Sequence, residues 1–353
     1  MNSLSIGSAF IEPGKNQDLR LKISETYTGD EIFLPIRVIR AEEPGPIVFV
    51  TAAVHGDEIN GTGIVHDLLY DEDFRLQAGT LILIPVVNVF GFENHDRYLP
   101  DRRDLNRVFP GSETGSLASR MANTLMQEVI LKCDFGIDLH SAAFQRVNYP
   151  NIRADLRDSK VRKLARSFGC ALVLDGKGPE GSLRREACRA GVPTIILEAG
   201  EPSKIEPTVL EIGVRGIKNV LRTYGMLNGR YDHPPYSTNV SKTTWLRAEV
   251  GGMLRFHVSP GDLVDAGQPV ASNYSIMGER QNTLRAPADG IVLSLVTMPA
   301  VKPGEPVCHL ALPSKKLSTI RRTLEKASRR GLYSRLGRDL ATSMVNSEYG
   351  ADI

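Results

Sequence analysis

Two histidines and a glutamate stand at positions where the chain could bind a divalent metal ion. His55 follows the apolar run Ile47–Val54, and Glu58 comes three residues later. His140 follows a second apolar run, Phe135–Leu139. Zinc binds imidazole nitrogen and carboxylate oxygen at about 2.0–2.2 Å, so these residue types suit it. We therefore predict that His55, Glu58 and His140 hold one zinc ion per chain.

The two apolar runs are typical of buried strands, and open α/β folds place ligands at the carboxyl ends of such strands. Between residues 46 and 229, strand and helix patterns alternate. We predict strands at Ile47–Val54, Thr80–Val87, Phe135–Leu139, Ala171–Leu174 and Pro193–Glu198. We predict helices at Glu58–Leu69, Leu117–Lys132, Asp158–Phe168, Ser182–Ala190 and Ile205–Tyr224. This alternation indicates an α/β fold with a mostly parallel sheet covered on both faces.

The segments on either side have a β pattern. Residues 1–45 alternate like strands and are predicted to pack on the domain formed by residues 46–229. Residues 230–313 contain a repeat, because Leu246-Arg247-Ala248 recurs as Leu284-Arg285-Ala286. Two β halves of this kind resemble the barrel-sandwich, or lipoyl/biotinyl-like, fold. Members that carry a swinging cofactor need a lysine in the hairpin between the halves, and residues 272–283 contain none. We interpret this all-β domain as a structural module or a lid.

The last segment, residues 314–353, is basic and has helical spacing of apolar residues. The spaced residues are Leu317, Ile320, Leu324, Leu332, Leu336, Leu340 and Met344. A basic amphipathic helix can bind a membrane surface or nucleic acid. A helix docked on its own protein is the alternative, and we favour it.

Composition points to an ordinary globular protein rather than to a nucleic-acid or membrane protein. The 353 residues carry a net charge of +2, and 41% of them are hydrophobic. The apolar runs are too short to span a bilayer. The amino terminus lacks the features of a secretory signal, and the four cysteines are scattered. We therefore predict a cytoplasmic protein without structural disulfides and without nucleic-acid or membrane partners.

Further polar residues lie where they could join the metal ligands. Glu198 ends the apolar strand that begins at Pro193, and a carboxylate in that position is costly unless it is paired. Its alternative role is an ion-paired cap of the next helix. The polar segment Asp104-Leu105-Asn106-Arg107 follows the second predicted strand of the central domain.

Four motifs together resemble the succinylglutamate desuccinylase/aspartoacylase family, a branch of the zinc carboxypeptidase-like fold. They are His55-Gly56-Asp57-Glu58, Arg97-Tyr98-Leu99 with Asp104-Leu105-Asn106-Arg107, Asp138-Leu139-His140, and Glu198-Ala199-Gly200. The resemblance covers residues 46–312, with the motifs in family order. It implies a zinc carboxypeptidase-like, mixed but mostly parallel sheet flanked by helices, with a smaller C-terminal all-β domain.

The resemblance also implies roles in catalysis. Three protein ligands leave the fourth position of zinc open for water, as in catalytic zinc sites. The family's glutamate at the position of Glu198 takes a proton from that water and passes it to the leaving amine. Arg97 matches the arginine that stabilises the tetrahedral oxyanion, although Arg102 in the following loop is an alternative.

Other residues are predicted to bind substrate. Asn106 and Arg107 match the family's pair that holds the substrate's carboxylate, which the planar guanidinium contacts bidentately. A second basic contact is expected from Arg184 or from its neighbour Arg185. Asp138 is expected either to orient a metal ligand or to make a simple buried polar contact.

Taken together, these expectations describe a metal-dependent enzyme. We predict a zinc-dependent amidohydrolase that converts a small N-acyl amino acid, or a related amide, into a carboxylate and a free amine. One alternative is a zinc carboxypeptidase that acts on peptides. A second is a non-catalytic binding protein on the same fold. The size of the chain also allows a homo-oligomer.

Overall fold

The computed structural model of the protein describes residues 4–26, 28–326 and 331–341. The described chain begins with four strands, β1 (Leu4–Ile6), β2 (Ala9–Ile11), β3 (Asn16–Glu25) and β4 (Glu31–Arg40). The first two form a separate hairpin. The other two form an antiparallel ladder, and β4 pairs with a strand of the central segment. The N-terminal segment therefore extends the main sheet.

The central segment alternates strands and helices. Its strands are β5 (Glu43–Ala52), β6 (Ala78–Ile84), β7 (Phe135–His140), β8 (Arg146–Ala154), β9 (Leu172–Asp175) and β10 (Thr194–Gly200). Its helices are α1 (Asn60–Tyr70), α2 (Val89–Asn94), α3 (Leu117–Glu128), α4 (Ser159–Phe168), α5 (Leu183–Arg189) and α6 (Pro207–Thr223). Every strand and helix predicted for this segment is present, with ends shifted by no more than four residues.

The C-terminal segment is built of short strands followed by two helices. The strands are β11 (Thr238–Arg247), β12 (Gly252–Phe256), β13 (Leu263–Val264), β14 (Pro269–Tyr274), β15 (Arg280–Arg285), β16 (Gly290–Val296), β17 (Ala300–Val301) and β18 (Pro306–Pro313). The helices are α7 (Leu317–Lys326) and α8 (Leu332–Ala341). The hairpin without a lysine joins β14 to β15.

Twelve strands form one sheet, in the order β13-β16-β18-β11-β9-β8-β10-β7-β5-β6-β4-β3. Strands β10, β7, β5 and β6 are parallel, so the predicted parallel pattern holds at the centre. Strand β8 runs antiparallel to β10, and both ends of the sheet consist of antiparallel pairs. The sheet as a whole is therefore mixed.

Strand β8, which the sequence pattern did not predict, connects the two halves of the molecule. It pairs with β9 and β10 and also with β16 of the C-terminal segment. Strands β8, β9, β11, β18 and β16 consequently close into a small barrel. The strands β12, β14, β15 and β17 form a separate four-stranded sheet. The C-terminal β strands are thus hydrogen-bonded to the central sheet through the barrel.

Helices cover both faces of the central sheet, as predicted. Apolar residues of α1, α4 and α6 share one buried cluster with the sheet, and those of α3 and α5 share another. Removing a leucine side chain from water contributes about 1.5–3 kcal/mol, so the two clusters hold the strands in place. Asp158 caps α4 by accepting hydrogen bonds from two backbone N–H groups, and Gly169 ends the helix with a positive φ of 78°.

The described part of the basic tail packs on the protein. Leu336 and Leu340 of α8 are buried, and Arg335 forms an ion pair with Glu211 of α6 at 2.7 Å. Met344 and the rest of residues 342–353 lie outside the described residues. In the described parts of the chain, no helix has both the length and the apolar character needed to cross a membrane.

Candidate active site

The three predicted metal ligands meet at the carboxyl edge of the central strands. One ligand atom each from His55, Glu58 and His140 lies within 4.8 Å of the others, and all three residues are buried. Glu58 accepts hydrogen bonds from both imidazoles, at 2.6 Å from His55 Nδ1 and 2.8 Å from His140 Nδ1. We call these three residues the metal-ligand cluster.

The loop that carries two of the ligands begins earlier than predicted. Strand β5 ends at Ala52 rather than at residue 54, because Ala53 adopts a positive φ of 48° and leaves the extended conformation. Helix α1 begins at Asn60, so His55 and Glu58 both lie in the intervening loop. Gly56 passes so close to Gly91 of α2 that a Cβ atom would lie 2.0 Å from its carbonyl carbon. This close approach fixes the loop against α2.

Each imidazole lies between two carboxylates. His140 Nε2 is 2.9 Å from Asp138 Oδ2, and Thr51 donates a hydrogen bond to the other oxygen of Asp138. His55 Nε2 is 3.2 Å from Asp104 Oδ1. A carboxylate on the far nitrogen of a histidine is the usual way in which proteins orient a metal ligand. Of the two expectations for Asp138, the structure shows the contact with a ligand.

The charges of the cluster stabilise a cation at this position. Burial alone would lower the pKa of His140, but Asp138 and Glu58 raise it well above its ordinary value. Burial also lowers the pKa of His55. The carboxylates of Glu58 and Asp104 outweigh this effect, so the pKa of His55 is raised. Burial would raise the pKa of Glu58, yet the two imidazoles hold it well below its usual range.

The donor set fits zinc. Two imidazole nitrogens and one carboxylate oxygen converge in a buried position, and the negative groups around them favour positive charge. This set is that of catalytic zinc sites, which have three protein ligands. The residues present would therefore hold the ion that the sequence analysis predicts.

Arg97 lies beside the metal-ligand cluster. Its guanidinium is 3.3 Å from Glu58 Oε1 and 2.9 Å from Asp104 Oδ2. Arg102 is exposed and has a positive φ of 59°, and no side-chain contact joins it to the cluster among the described residues. Of the two arginines considered for the oxyanion, the structure brings Arg97 to the site.

The segment Leu105–Arg107 is a single 3-10 turn between the cluster and α5. Asp104 caps this turn by accepting a hydrogen bond from the backbone N–H of Asn106 at 2.8 Å. The buried Asn106 side chain accepts a hydrogen bond from the backbone N–H of Leu183, at 2.9 Å, at the start of α5. Arg107 is exposed, its Nη1 donates to the carbonyl of Asn106 at 2.7 Å, and among the described residues no carboxylate lies within ion-pair distance of it. Its guanidinium is therefore open to an external anion.

Arg184 and Arg185 are adjacent but have different surroundings. Arg184 is only 4% exposed, its Nη1 donates to the carbonyl of Gly176, and its buried Nε has no hydrogen-bond partner in the described structure. Burial lowers the pKa of Arg184. Arg185 forms an ion pair with Glu180 at 2.7 Å. The structure thus leaves Arg184, not Arg185, with an unused buried donor.

Glu198 lies on β10 directly beside His140 of β7 in the parallel ladder. Its side chain is 14% exposed, and Oε2 accepts a hydrogen bond of 3.0 Å from Asn148 Nδ2. Oε1 lies 3.5 Å from Arg153 Nε. The next helix, α6, has Glu206 rather than Glu198 at its N-cap position, so the capping role that we considered is wrong.

Residues of β8 complete this site, and sequence reasoning missed them. Asn148 and Arg153 contact Glu198 from β8. Pro150 in the middle of β8 argues against a strand in the sequence, because proline cannot donate a ladder hydrogen bond. The β-prone residues Val147, Tyr149 and Ile152 within a short stretch are the signal that could have indicated it.

Comparison with known proteins finds one matching family and a similar deacetylase. The family model of the succinylglutamate desuccinylase/aspartoacylase catalytic domain matches residues 44–224. The chain is 27% identical over 311 residues to N-alpha-acetyl-L-2,4-diaminobutyric acid deacetylase from Halomonas elongata, covering 83% of this chain and 90% of that protein.

Solved structures show the same fold. A succinylglutamate desuccinylase from Silicibacter sp. TM1040 has a TM-score of 0.76 at 24% identity, with 89% of this chain and 100% of that chain covered. The product-bound ectoine utilization protein EutE (DoeB) from Ruegeria pomeroyi also has a TM-score of 0.76, at 22% identity, with 88% and 99% covered. The mixed sheet and its small closed barrel therefore belong to a fold that these structures share.

Proposed function

The chain belongs to the succinylglutamate desuccinylase/aspartoacylase family, and on that premise we propose that it is a zinc-dependent hydrolase of small N-acyl amino acids. The reaction releases a carboxylic acid and a free amine. The observation that carries this proposal is the buried metal-ligand cluster with Glu198 next to His140 on the neighbouring strand. Ligands for a metal and a carboxylate for proton transfer are the groups that hydrolysis of an amide requires.

His55, Glu58 and His140 would hold the zinc ion, with one ion per chain. When bound, zinc would polarise the amide carbonyl and lower the pKa of water. Asp104 and Asp138 keep the two imidazoles oriented through their far nitrogens. These contacts fix the ligand atoms before the substrate arrives, so little reorganisation is needed during the reaction.

Glu198 is proposed to move the proton. Oε2 is held by Asn148, whereas Oε1 accepts no hydrogen bond from the described residues. Oε1 is therefore the oxygen that we assign to take a proton from water and to deliver it to the leaving nitrogen. The contact with Arg153 keeps the carboxylate in place between these two transfers.

Three arginines are proposed to bind the substrate. Arg97, held by Glu58 and Asp104, would donate to the oxygen that becomes negative when the amide carbon turns tetrahedral. Arg107 would bind the substrate's carboxylate, and Asn106 would fix the turn that carries it. Arg184, which is buried without a carboxylate partner among the described residues, would supply a second contact.

The relatives support a short acylated amino acid as the substrate. The protein from Halomonas elongata is a deacetylase of an N-acetylated diamino acid, and it aligns with most of this chain. The solved structure from Silicibacter is a succinylglutamate desuccinylase. We therefore place the substrate among small N-acyl amino acids and leave both the acyl group and the amine to experiment.

A substrate panel with a metal assay tests the proposal. The purified protein, loaded with zinc, is incubated with N-acetyl and N-succinyl amino acids and with short peptides, and the released amine is measured. We expect about one zinc ion per chain and deacylation without peptide cleavage. Cleavage of peptides alone would instead identify a carboxypeptidase. A chain that binds no divalent ion would favour the non-catalytic binding protein.

A further inference from the structure

Four residues form a continuous row on one face of the small barrel. Trp245 of β11 lies directly opposite His309 of β18, and His309 lies opposite Ser294 of β16. Ser294 in turn lies opposite Asn148 of β8. Residues directly opposite each other on neighbouring strands point to the same face, so the four side chains are adjacent. We call Asn148, Ser294, His309 and Trp245 the barrel row.

The barrel row begins beside Glu198, the proposed proton-transfer residue, and ends at two stacked aromatic rings. At one end, Asn148 donates to Glu198 at 3.0 Å. At the other end, the Trp245 and His309 rings stack, with centroids 4.0 Å apart and an interplanar angle of 7°. The Arg146 guanidinium lies over the Trp245 ring at 5.0 Å. Because these strands close into a barrel, the row curves around it and brings Trp245 close to Arg146 of β8, two residues from Asn148.

Three buried polar atoms along this row have no hydrogen-bond partner in the described structure. They are Ser294 Oγ, His309 Nε2 and Arg146 Nη1, whereas Arg153 Nε lies 3.5 Å from Glu198 Oε1. Ser294 is only 2% exposed. A buried polar group without a hydrogen bond is destabilising, so three such groups close together favour a bound ligand that pairs with them.

The electrostatics of the row favour an anion. Burial and the positive charges of Arg153 and Arg146 lower the pKa of His309 to about 4, so its imidazole is neutral at pH 7. Glu198 is the carboxylate within ion-pair distance of Arg153, and among the described residues none lies that close to Arg146. Two guanidiniums and a hydroxyl therefore present donors to one space.

We propose that the barrel row, with Arg146 and Arg153, is a second anion subsite that binds a carboxylate of the substrate. This carboxylate is a different one from the group assigned to Arg107 and Arg184. The inference rests on the proposed function, because it takes Glu198 as the point where the amide reacts. In this proposal the C-terminal β strands contact the substrate beyond the reacting amide, through hydrogen bonds and through the Trp245 ring.

Matched substrate pairs that differ only by carboxylate and carboxamide test the subsite. One pair is N-acetyl-L-glutamate and N-acetyl-L-glutamine, and the other is N-succinylglycine and its succinamoyl analogue. We expect kcat/KM to favour the carboxylate at least tenfold in one pair. Arg146→Gln and Ser294→Ala are expected to reduce that preference, the first by about tenfold. Arg285→Gln, an exposed arginine on β15, is the control that retains it.

A binding measurement separates this inference from the proposed function. Calorimetry with L-glutamate, succinate and inorganic phosphate is carried out on zinc-loaded wild type, R146Q, S294A and R285Q, each checked for folding by circular dichroism. We expect tenfold weaker binding of a dicarboxylate in R146Q and unchanged binding in R285Q. Equal binding in R146Q and wild type, equal losses for both members of each pair, or a preference for phosphate would overturn the subsite. Absence of all deacylation would overturn the proposed function, while the binding data would still decide the subsite.

Discussion

In the metal-ligand cluster, every side-chain nitrogen and oxygen has a partner, whereas the barrel row contains buried donors without one. Glu58 contacts two imidazoles, Arg97 and the backbone N–H of Ser141. Ser294 and His309, on the other side of Glu198, leave buried polar atoms unpaired. The difference indicates that the first region is organised in advance for catalysis and that the second is completed by what binds there. Variants in each region test this difference.

The largest effect is expected from His140→Ala. Removing one of three metal ligands leaves Glu58 and Asp138 buried without their shared imidazole, so both zinc and activity should be lost. We expect zinc content below one tenth of wild type by elemental analysis and kcat/KM reduced at least about ten-thousandfold. His66→Ala, an exposed histidine on α1, is the control and should retain both. Full zinc content in H140A would contradict the assignment of the ligand.

Glu198→Gln is expected to separate the metal from the proton transfer. The amide keeps the shape of the side chain and a hydrogen bond to Asn148, but it cannot accept a proton. We expect kcat reduced about a thousandfold, with zinc content unchanged. Glu93→Gln, exposed on α2, serves as the matched control. An inactive E198Q that had also lost its zinc would contradict the role of Glu198.

Asp138→Asn is expected to weaken the metal site without destroying it. Asn can still accept the hydrogen bond from Thr51 through its oxygen, but it removes the negative charge on the far side of His140. We expect zinc affinity to fall about ten- to hundredfold in a competition experiment with a chelator. Asp101→Asn, which replaces a half-buried carboxylate paired with Arg103 outside the cluster, should leave the affinity at the wild-type value. Unchanged affinity in D138N would mean that His140 is oriented by packing alone.

The sequence predicted the regions of this molecule that depend on local patterns. Continuous apolar runs indicated the central strands, and His55, Glu58 and His140 were recognisable because each lies at or just after such a run. Their residue types then specified the chemistry. Boundaries were less exact, since the positive φ of Ala53 ends β5 two residues early and nothing in the apolar run signals it.

The barrel row could not be predicted, because its members come together only through strand register. Positions 148, 245, 294 and 309 are far apart in the chain and lie on four strands. One of these strands, β8, contains Pro150 and was not recognised. A shift of one residue in any of the pairings would turn that side chain to the opposite face, so only the folded sheet determines the row.

The smallest effect is expected from Arg184→Lys. This variant tests the choice between Arg184 and Arg185, which the sequence left open. Consecutive helical residues point about 100° apart, so only one of Arg184 and Arg185 faces the site. Lysine keeps the charge but cannot present the planar fork of arginine to a carboxylate. We expect KM for an N-acyl amino acid to rise about tenfold with little change in kcat. Arg185→Lys is the matched control, because Arg185 is paired with Glu180 and should leave KM unchanged. The reverse result would transfer the substrate contact to Arg185 and would make the unpartnered Nε of Arg184 a feature of the folded core.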